Sequence, residues 1–322
     1  MKFSLLQAAA LSGCLAVFSP VAQAVVIAGP NGAAAGNITQ ASLNTYVSGN
    51  ALPAFPYWNN VVAVDGASGV YLGASGNYGW VLTAAHVGQL AVGSGVITVN
   101  GTNFTVRANV PVGTQDLRLY RIGGETGDPA LPGIPNVVLA TGSPVVTTGL
   151  LAFGRGARVE TTANDANNSD AGQLPGTDST YFEWTGAGAI RWGSNQTALL
   201  PSWAGPAVPL ITIGTTVNFL SVFDDPGTGN YLTTTELNGA SGDSGGPAFT
   251  INSGAWQLSG VMTNVGSDPG TGQPAGTTGF GNITTYADLA TYQAVIQGLM
   301  IPEPSAAALA LLGLLGTLRR RR

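Results

Sequence analysis

Ser244 stands in Asn238-Gly239-Ala240-Ser241-Gly242-Asp243-Ser244-Gly245-Gly246-Pro247. Glycines on both sides of one Asp-Ser pair turn the backbone sharply, because glycine takes positive φ without steric cost and lets other groups come close. The hydroxyl is thereby presented, not packed. The same turn can aim the backbone N–H groups of Gly242 and Ser244 into one concavity, which an oxyanion requires when a carbonyl is attacked. A surface turn rich in Gly and Ser has the same composition, so the stretch takes its meaning from partners elsewhere in the chain.

The chain contains one histidine, His86. It closes Trp80-Val81-Leu82-Thr83-Ala84-Ala85-His86, an apolar strand followed by small residues that admit other backbone, and so sits at a strand end in a crowded position. As the only imidazole it is the only side chain whose ordinary pKa suits a proton shuttle near neutrality. An acid that orients it belongs on a rigid element. Asp116 opens Asp116-Leu117-Arg118-Leu119-Tyr120-Arg121-Ile122, where alternation puts Leu117 and Leu119 on an inward face and Arg118 and Tyr120 on the outward one, and apolar Ile122 is read as inward despite breaking the period. Asp65, Glu125 and Asp128 lie in turn contexts and read as solvated loop charges, and Asp243 projects away from a substrate-facing Ser244.

The elements that must position these residues are short. Runs rich in β-branched and aromatic residues recur at Asn60–Val64, Gly69–Gly73, Trp80–Thr83, Val96–Val99, Phe104–Val110, Leu117–Ile122, Val145–Phe153, Tyr181–Trp184, Leu210–Ile213, Val217–Phe223, Pro247–Ile251 and Trp256–Thr263. Gly, Asn, Pro and Ser punctuate them, which predicts an all-β antiparallel sandwich or barrel. Only Leu289–Met300 has the apolar spacing of a helix. Arg155–Leu200, polar above all over Thr161–Thr180, reads as a long surface loop. Asp-Pro-Gly-Thr-Gly occurs at both 225–229 and 268–272 and reads as hairpin tips; neither copy has the acid pattern of a calcium loop.

Composition bounds the environment. Lys2, the apolar run Phe3–Val21 and Ala22-Gln23-Ala24 have the order of a secretory signal peptide, so residues 1–24 are expected to be removed and the mature chain to begin near Val25. Leu11-Ser12-Gly13-Cys14 resembles a lipobox, but cleavage there would leave apolar Leu15-Ala16-Val17-Phe18 at the new terminus. Cys14 is the single cysteine; without it the exported chain has no disulfide and no thiolate metal site. Between Val25 and Gly298, six arginines against 15 acidic residues leave a formal charge of −9. Nucleic acid and anionic lipid, which bind through basic side chains, are unfavourable partners for such a surface.

Leu82-Thr83-Ala84-Ala85-His86, Asp116-Leu117-Arg118-Leu119 and Gly242-Asp243-Ser244-Gly245-Gly246-Pro247 together resemble the three signature blocks of the trypsin/chymotrypsin-like serine peptidases, in that family's order. The resemblance runs from about Tyr57 to Met300. It implies two six-stranded antiparallel β-barrels with a C-terminal helix: an N-terminal barrel with its leader over 25–140 and a second barrel and helix over 141–300. It further implies Ser244 as nucleophile, His86 as general base and then acid, Asp116 as the group that orients His86, and Gly242 and Ser244 N–H as the oxyanion hole. Asn238 and Thr263 take the positions of the primary specificity pocket, where a neutral amide cannot pair with Lys or Arg as a carboxylate would. The family's half-cystines are absent, and Val25-Val26-Ile27-Ala28-Gly29 is only loosely similar to its activating terminus, so the partner of Asp243 stays open.

Two rival hydrolases fail on chain order. Gly242-x-Ser244-x-Gly246 also matches the nucleophile elbow of α/β-hydrolases, which place their His after the Ser; here the His precedes it. Subtilisin-like order needs an acid ahead of His86, and only Asp65, in a turn, is there.

The chain closes with Pro302-Glu303-Pro304, apolar Ser305–Leu318 and Arg319-Arg320-Arg321-Arg322, an order that resembles a PEP-CTERM sorting signal over 301–322. Fourteen helical residues span about 21 Å at ~1.5 Å each, short of a ~30 Å hydrocarbon core, so the segment is marginal as a transmembrane helix. The resemblance implies Sec export, transient membrane insertion, recognition by an exosortase, and delivery to the cell surface, outer envelope or extracellular matrix of a Gram-negative bacterium. The expectation is a secreted serine endopeptidase without cofactor or metal that acts on protein or peptide; the alternative is a catalytically silent surface binding module on the same scaffold.

Overall fold

A computed structural model describes residues 26–28, 39–155, 162–163, 181–183, 189–202, 204–224, 235–267, 273 and 276–301. The signal segment, Cys14, the Thr161–Thr180 stretch apart from 162–163, both Asp-Pro-Gly-Thr-Gly turns and the tail from Pro302 onward lie outside them.

Among the described residues, eighteen strands carry the fold. They are β1 (Val26–Ala28), β2 (Val61–Val64), β3 (Ala67–Ser75), β4 (Tyr78–Thr83), β5 (Val96–Val99), β6 (Thr102–Pro111), β7 (Arg118–Ile122), β8 (Gly149–Gly154), β9 (Thr162–Ala163), β10 (Tyr181–Glu183), β11 (Arg191–Ala198), β12 (Ile211–Ile213), β13 (Thr216–Val222), β14 (Glu236–Asn238), β15 (Pro247–Asn252), β16 (Ala255–Gly266), β17 (Thr277–Gly279) and β18 (Ile283–Asp288). The helices are α1 (Gln40–Gly49) and α2 (Leu289–Met300).

The first sheet runs β2-β3-β4-β7-β6-β5, and its edge strands β2 and β5 meet, so six strands curl into a nearly closed barrel. The second has the order β1-β14-β11-β8-β15-β16-β18-β13-β12, with β11 also pairing with β13. That extra pairing closes β11, β8, β15, β16, β18 and β13 into a six-stranded ring and leaves β1, β14 and β12 as appendages. Closure removes the unpaired edges that would otherwise template association. The two-barrel, all-β expectation thus holds, while the leader strand β1 joins β14 of the second sheet, with Val26 opposite Asn238.

Alternation along each strand sorts side chains into separate cores. Val62, Val64, Val81, Phe104, Tyr120 and Ile122 fill the first barrel. Leu150, Ala152, Phe219, Met262 and Tyr286 fill the second. The residues between them in sequence, such as Leu82, Leu119, Leu151 and Phe153, point the other way and meet in a third core between the barrels. Phe55 seals that interface, its ring 4.9 Å from Phe153, 5.0 Å from Phe249 and 5.6 Å from Trp256.

Several expectations need correction. Tyr120 is buried inside the first barrel while Leu117 and Leu119 face the second, because β7 is covered on both faces and neither face is an outside. Arg155–Leu200 is not all loop: β11 runs through it, paired residue by residue with β8. α1 was not expected either. Its signal is local: Thr39 caps it by accepting the Ser42 N–H at 3.0 Å, and Leu43 and Val47, one turn apart, are buried between the barrels. α2 buries Leu289, Tyr292 and Ile296, as its spacing predicts. No helix among the described residues is long and apolar enough to cross a membrane.

Candidate active site

Three loops deliver the site. β4 ends at Thr83, and the tight turn after it places His86 three residues further on. The β6–β7 connection places Asp116 just ahead of β7. The β14–β15 loop, from the other barrel, carries Ser244.

These residues form one hydrogen-bonded line. Asp116 Oδ2 lies 2.7 Å from His86 Nδ1, and His86 Nε2 lies 2.7 Å from Ser244 Oγ. The second carboxylate oxygen, Oδ1, accepts the His86 backbone N–H at 2.9 Å. A carboxylate that holds one residue by both ring and backbone fixes the ring plane, and an acceptor at Nδ1 leaves Nε2 as the basic nitrogen toward Ser244. His86 is nearly half exposed, with 46% of its side chain accessible, so substrate and water can reach the line.

The loop that carries Ser244 is shaped by two glycines in the left-handed region, Gly242 at φ +90° and Gly245 at φ +85°. Gly245 has a second reason to lack a side chain: a Cβ there would lie 2.0 Å from the Ser68 carbonyl oxygen and 2.1 Å from Thr83 Oγ1. The turn closes on itself, with the Asp243 N–H on the Ala240 carbonyl at 3.1 Å and the Gly246 N–H on the Asp243 carbonyl at 2.7 Å. Asp243 is buried and turned inward, its Oδ2 accepting the Ala240 N–H at 2.9 Å. Among the described residues, the backbone N–H groups of Gly242 and Ser244 donate to nothing. Two undonated N–H groups in one turn beside the Ser244 hydroxyl have the arrangement that a developing oxyanion requires.

The solved structures similar to this chain include two serine proteases. Neuropsin, a serine protease expressed in the limbic system of mouse brain, shares 18% identity with a TM-score of 0.46, over 76% of this chain and 96% of its own. Kallikrein-related peptidase 10 in complex with Zn2+ shares 16% identity with a TM-score of 0.45, over 77% of this chain and 98% of its own. No protein-family model and no curated protein matches the chain.

Asn238 and Thr263 are both buried. The Asn238 amide is consumed internally: Nδ2 donates to the Gly239 carbonyl and Oδ1 accepts from Thr284 Oγ1, each at 2.8 Å. Thr284 Oγ1 also accepts the Gly239 N–H at 2.7 Å. Thr263 Oγ1 donates to Asn218 Oδ1 at 2.8 Å and so faces β13. The space over Gly239 is narrow, since a Cβ built there would sit 3.1 Å from both Thr284 Cγ2 and Val265 Cγ1. Thr284 and Val265 were not singled out in the sequence, because a β-branched residue in a strand reads first as a sheet former.

Sequence reasoning also missed the residues that hold the line from behind. Ser68 N–H donates to the Ser244 carbonyl at 3.0 Å, Thr83 Oγ1 donates to the Ser68 carbonyl at 2.6 Å, and Thr216 Oγ1 accepts the Asp116 N–H at 2.7 Å. Nothing in composition or spacing marks them; their role exists only once the two barrels meet.

Proposed function

We propose that the chain is a serine endopeptidase of the trypsin/chymotrypsin-like type. The continuous Asp116–His86–Ser244 line, with 2.7 Å at each junction, carries this reading. His86 Nε2 takes the Ser244 proton as Oγ attacks the peptide carbonyl, and Asp116 stabilises the imidazolium that forms. The carbonyl oxygen, now negative, takes the N–H groups of Gly242 and Ser244. The imidazolium then gives its proton to the leaving amine, and an acyl-Ser244 ester remains. Water, deprotonated by His86, cleaves the ester and returns the hydroxyl. Every proton moves through His86.

In this reading the residue accepted before the scissile bond is small and uncharged. The Asn238 amide is already committed to Gly239 and Thr284, and Thr284 and Val265 narrow the space beside it. Asn238 offers an Arg or Lys side chain no carboxylate, and its amide is already hydrogen-bonded within the chain.

The sequence supports an exported setting. Residues 1–24 read as a signal peptide for the Sec machinery, and 301–322 as a PEP-CTERM segment for an exosortase, with the enzyme reaching the cell surface or extracellular matrix. The test of the activity is a fluorophosphonate probe on purified, folded protein. Wild type is expected to label covalently, with labelling abolished in Ser244→Ala and strongly reduced in His86→Ala. Folded wild type that does not label sinks the endopeptidase reading in favour of a silent binding scaffold.

A further inference from the structure

Ser68 lies on β3 in the first barrel and is fully buried, yet three of its hydrogen bonds cross to the second barrel. Its N–H donates to the Ser244 carbonyl at 3.0 Å. Its Oγ donates to the Gly242 carbonyl at 3.3 Å and accepts the Arg155 N–H at 2.9 Å. Its own carbonyl is taken by Thr83 Oγ1 at 2.6 Å. The backbone bonds are open to any residue at this position. The two made by Oγ are specific to serine's small hydroxyl.

We propose that the Ser68 hydroxyl is a positioning group for the oxyanion-binding turn, a role that rests on Ser244 being the nucleophile. The peptide joining Gly242 to Asp243 lies between the two N–H groups that donate to nothing among the described residues. It is pinned at both ends, its carbonyl on Ser68 Oγ and its N–H on the Ala240 carbonyl at 3.1 Å. A trans peptide is a rigid plane, so two pins fix its orientation, and with it the ψ of Gly242 and the φ of Asp243. The need for a pin is local: Gly242, at φ +90°, has no side chain to restrict it, and glycine crosses φ/ψ space more freely than any other residue. With one pin removed, the turn can rotate and its donors no longer converge before substrate arrives. Ser68 touches neither substrate nor the reacting atoms; it acts through Gly242.

The effect belongs to the transition state, because the ground-state carbonyl depends less on the hole than the tetrahedral oxyanion does. Ser68→Ala is therefore expected to lower kcat about 10- to 100-fold on the scale of a misplaced catalytic geometry, with KM within about twofold of wild type. Affinity for a peptidyl aldehyde, which forms a tetrahedral adduct with Ser244, should fall in parallel with kcat/KM. Ser68→Thr, which keeps a hydroxyl, should recover most of both, and Ser68→Gly should not. If Ser68→Ala melts earlier than wild type but keeps its kcat and aldehyde affinity, the hydroxyl is structural only and the proposal is overturned. If Ser68→Ala fails to fold, Ser68→Thr and Ser68→Cys decide instead: equal kcat in both overturns it, because a thiol is a weak donor, and loss in Cys alone supports it. Wild type that reacts with neither aldehyde nor fluorophosphonate overturns the nucleophile assignment and this role with it. Reactive wild type with an unaffected Ser68→Ala overturns only the role of Ser68.

Discussion

The Asp116 backbone N–H donates to Thr216 Oγ1 at 2.7 Å, so the acid that orients the imidazole on the first barrel is held by a hydroxyl from the second. Beside it, Thr215 Oγ1 donates to the Thr114 carbonyl, and the β12–β13 hairpin clasps the Asp116 loop at two points. The converse holds at Ser244, whose loop is braced by Ser68. Each barrel positions the other's contribution, so the proposed Asp116–His86–Ser244 triad depends on the interface as much as on either barrel.

Thr216→Val keeps shape but removes the acceptor, leaving a part-buried N–H without a partner, a cost of about 1–3 kcal/mol. Thermal midpoint and kcat should both fall, kcat by about tenfold, while Thr216→Ser stays near wild type. A Val variant with unchanged kcat would show that Asp116 needs no brace from the second barrel.

Gly245 and Gly254 provide a matched pair. Both have positive φ, +85° and +77°, but a Cβ at Gly254 meets nothing within 4 Å whereas at Gly245 it strikes Ser68 backbone. Gly254→Ala should cost about 1–2 kcal/mol from backbone conformation alone. Gly245→Ala should cost about 3 kcal/mol or more and end fluorophosphonate labelling, because β3 and the nucleophile loop must separate. Equal melting of the two variants would contradict the close approach.

Substrate choice should respond to Val265 and Thr284. Val265→Ala and Thr284→Ala enlarge the space over Gly239, and cleavage after larger apolar residues should rise about tenfold relative to small ones. Cleavage profiles on a peptide library read this directly; a wild-type preference for Arg or Lys would refute the role given to Asn238.

Acid stability has an identifiable contributor in the Arg107–Asp128 pair, where Arg107 Nε donates to Asp128 Oδ2 at 3.1 Å. Hydrogen bonding to that guanidinium holds the Asp128 carboxyl below its ordinary value. The unfolded chain therefore takes up this proton at higher pH than the folded one. The stabilisation is complete above the ordinary carboxylate range and disappears as pH falls through Asp128's depressed value. Melting curves from neutral to acid pH should show Asp128→Asn below wild type at neutrality, with the gap closing in acid. A gap independent of pH would mean that the pair contributes packing and not charge.

Much of this was legible along the chain. Twelve β-branched runs, from Asn60–Val64 to Trp256–Thr263, coincide with strands to within a few residues, because half-buried pleats select those side chains. β11, with Gly193, Ser194, Asn195 and Gln196, was not legible. Its polar side chains look like loop until β8 covers it, and Asn195 Nδ2 then donates to the carbonyls of Val222 and Leu237 at 2.9 and 2.8 Å. Tyr120 misled for a related reason. Alternation puts it outward, but inside the barrel its hydroxyl donates to the Gly88 carbonyl and accepts the Leu90 N–H, both at 3.2 Å, tying down the segment that follows His86.

The sequence alone determined the candidate reacting groups: one imidazole, one serine in a turn that only glycine can make, and an acid at a strand lip, in a chain order that the rival folds do not share. Those are properties of residue type and local backbone, which spacing records. Tertiary structure decided the rest. That Ser68 and Thr216 stand behind the site, that the Asn238 amide oxygen is taken by Thr284, and that Thr284 and Val265 narrow the space over Gly239 all follow from groups 26 to 174 residues apart meeting across a barrel or between two. A hydrogen bond or a steric limit at such separation leaves no period or composition in the chain; it exists only when packing brings its two ends within about 3 Å.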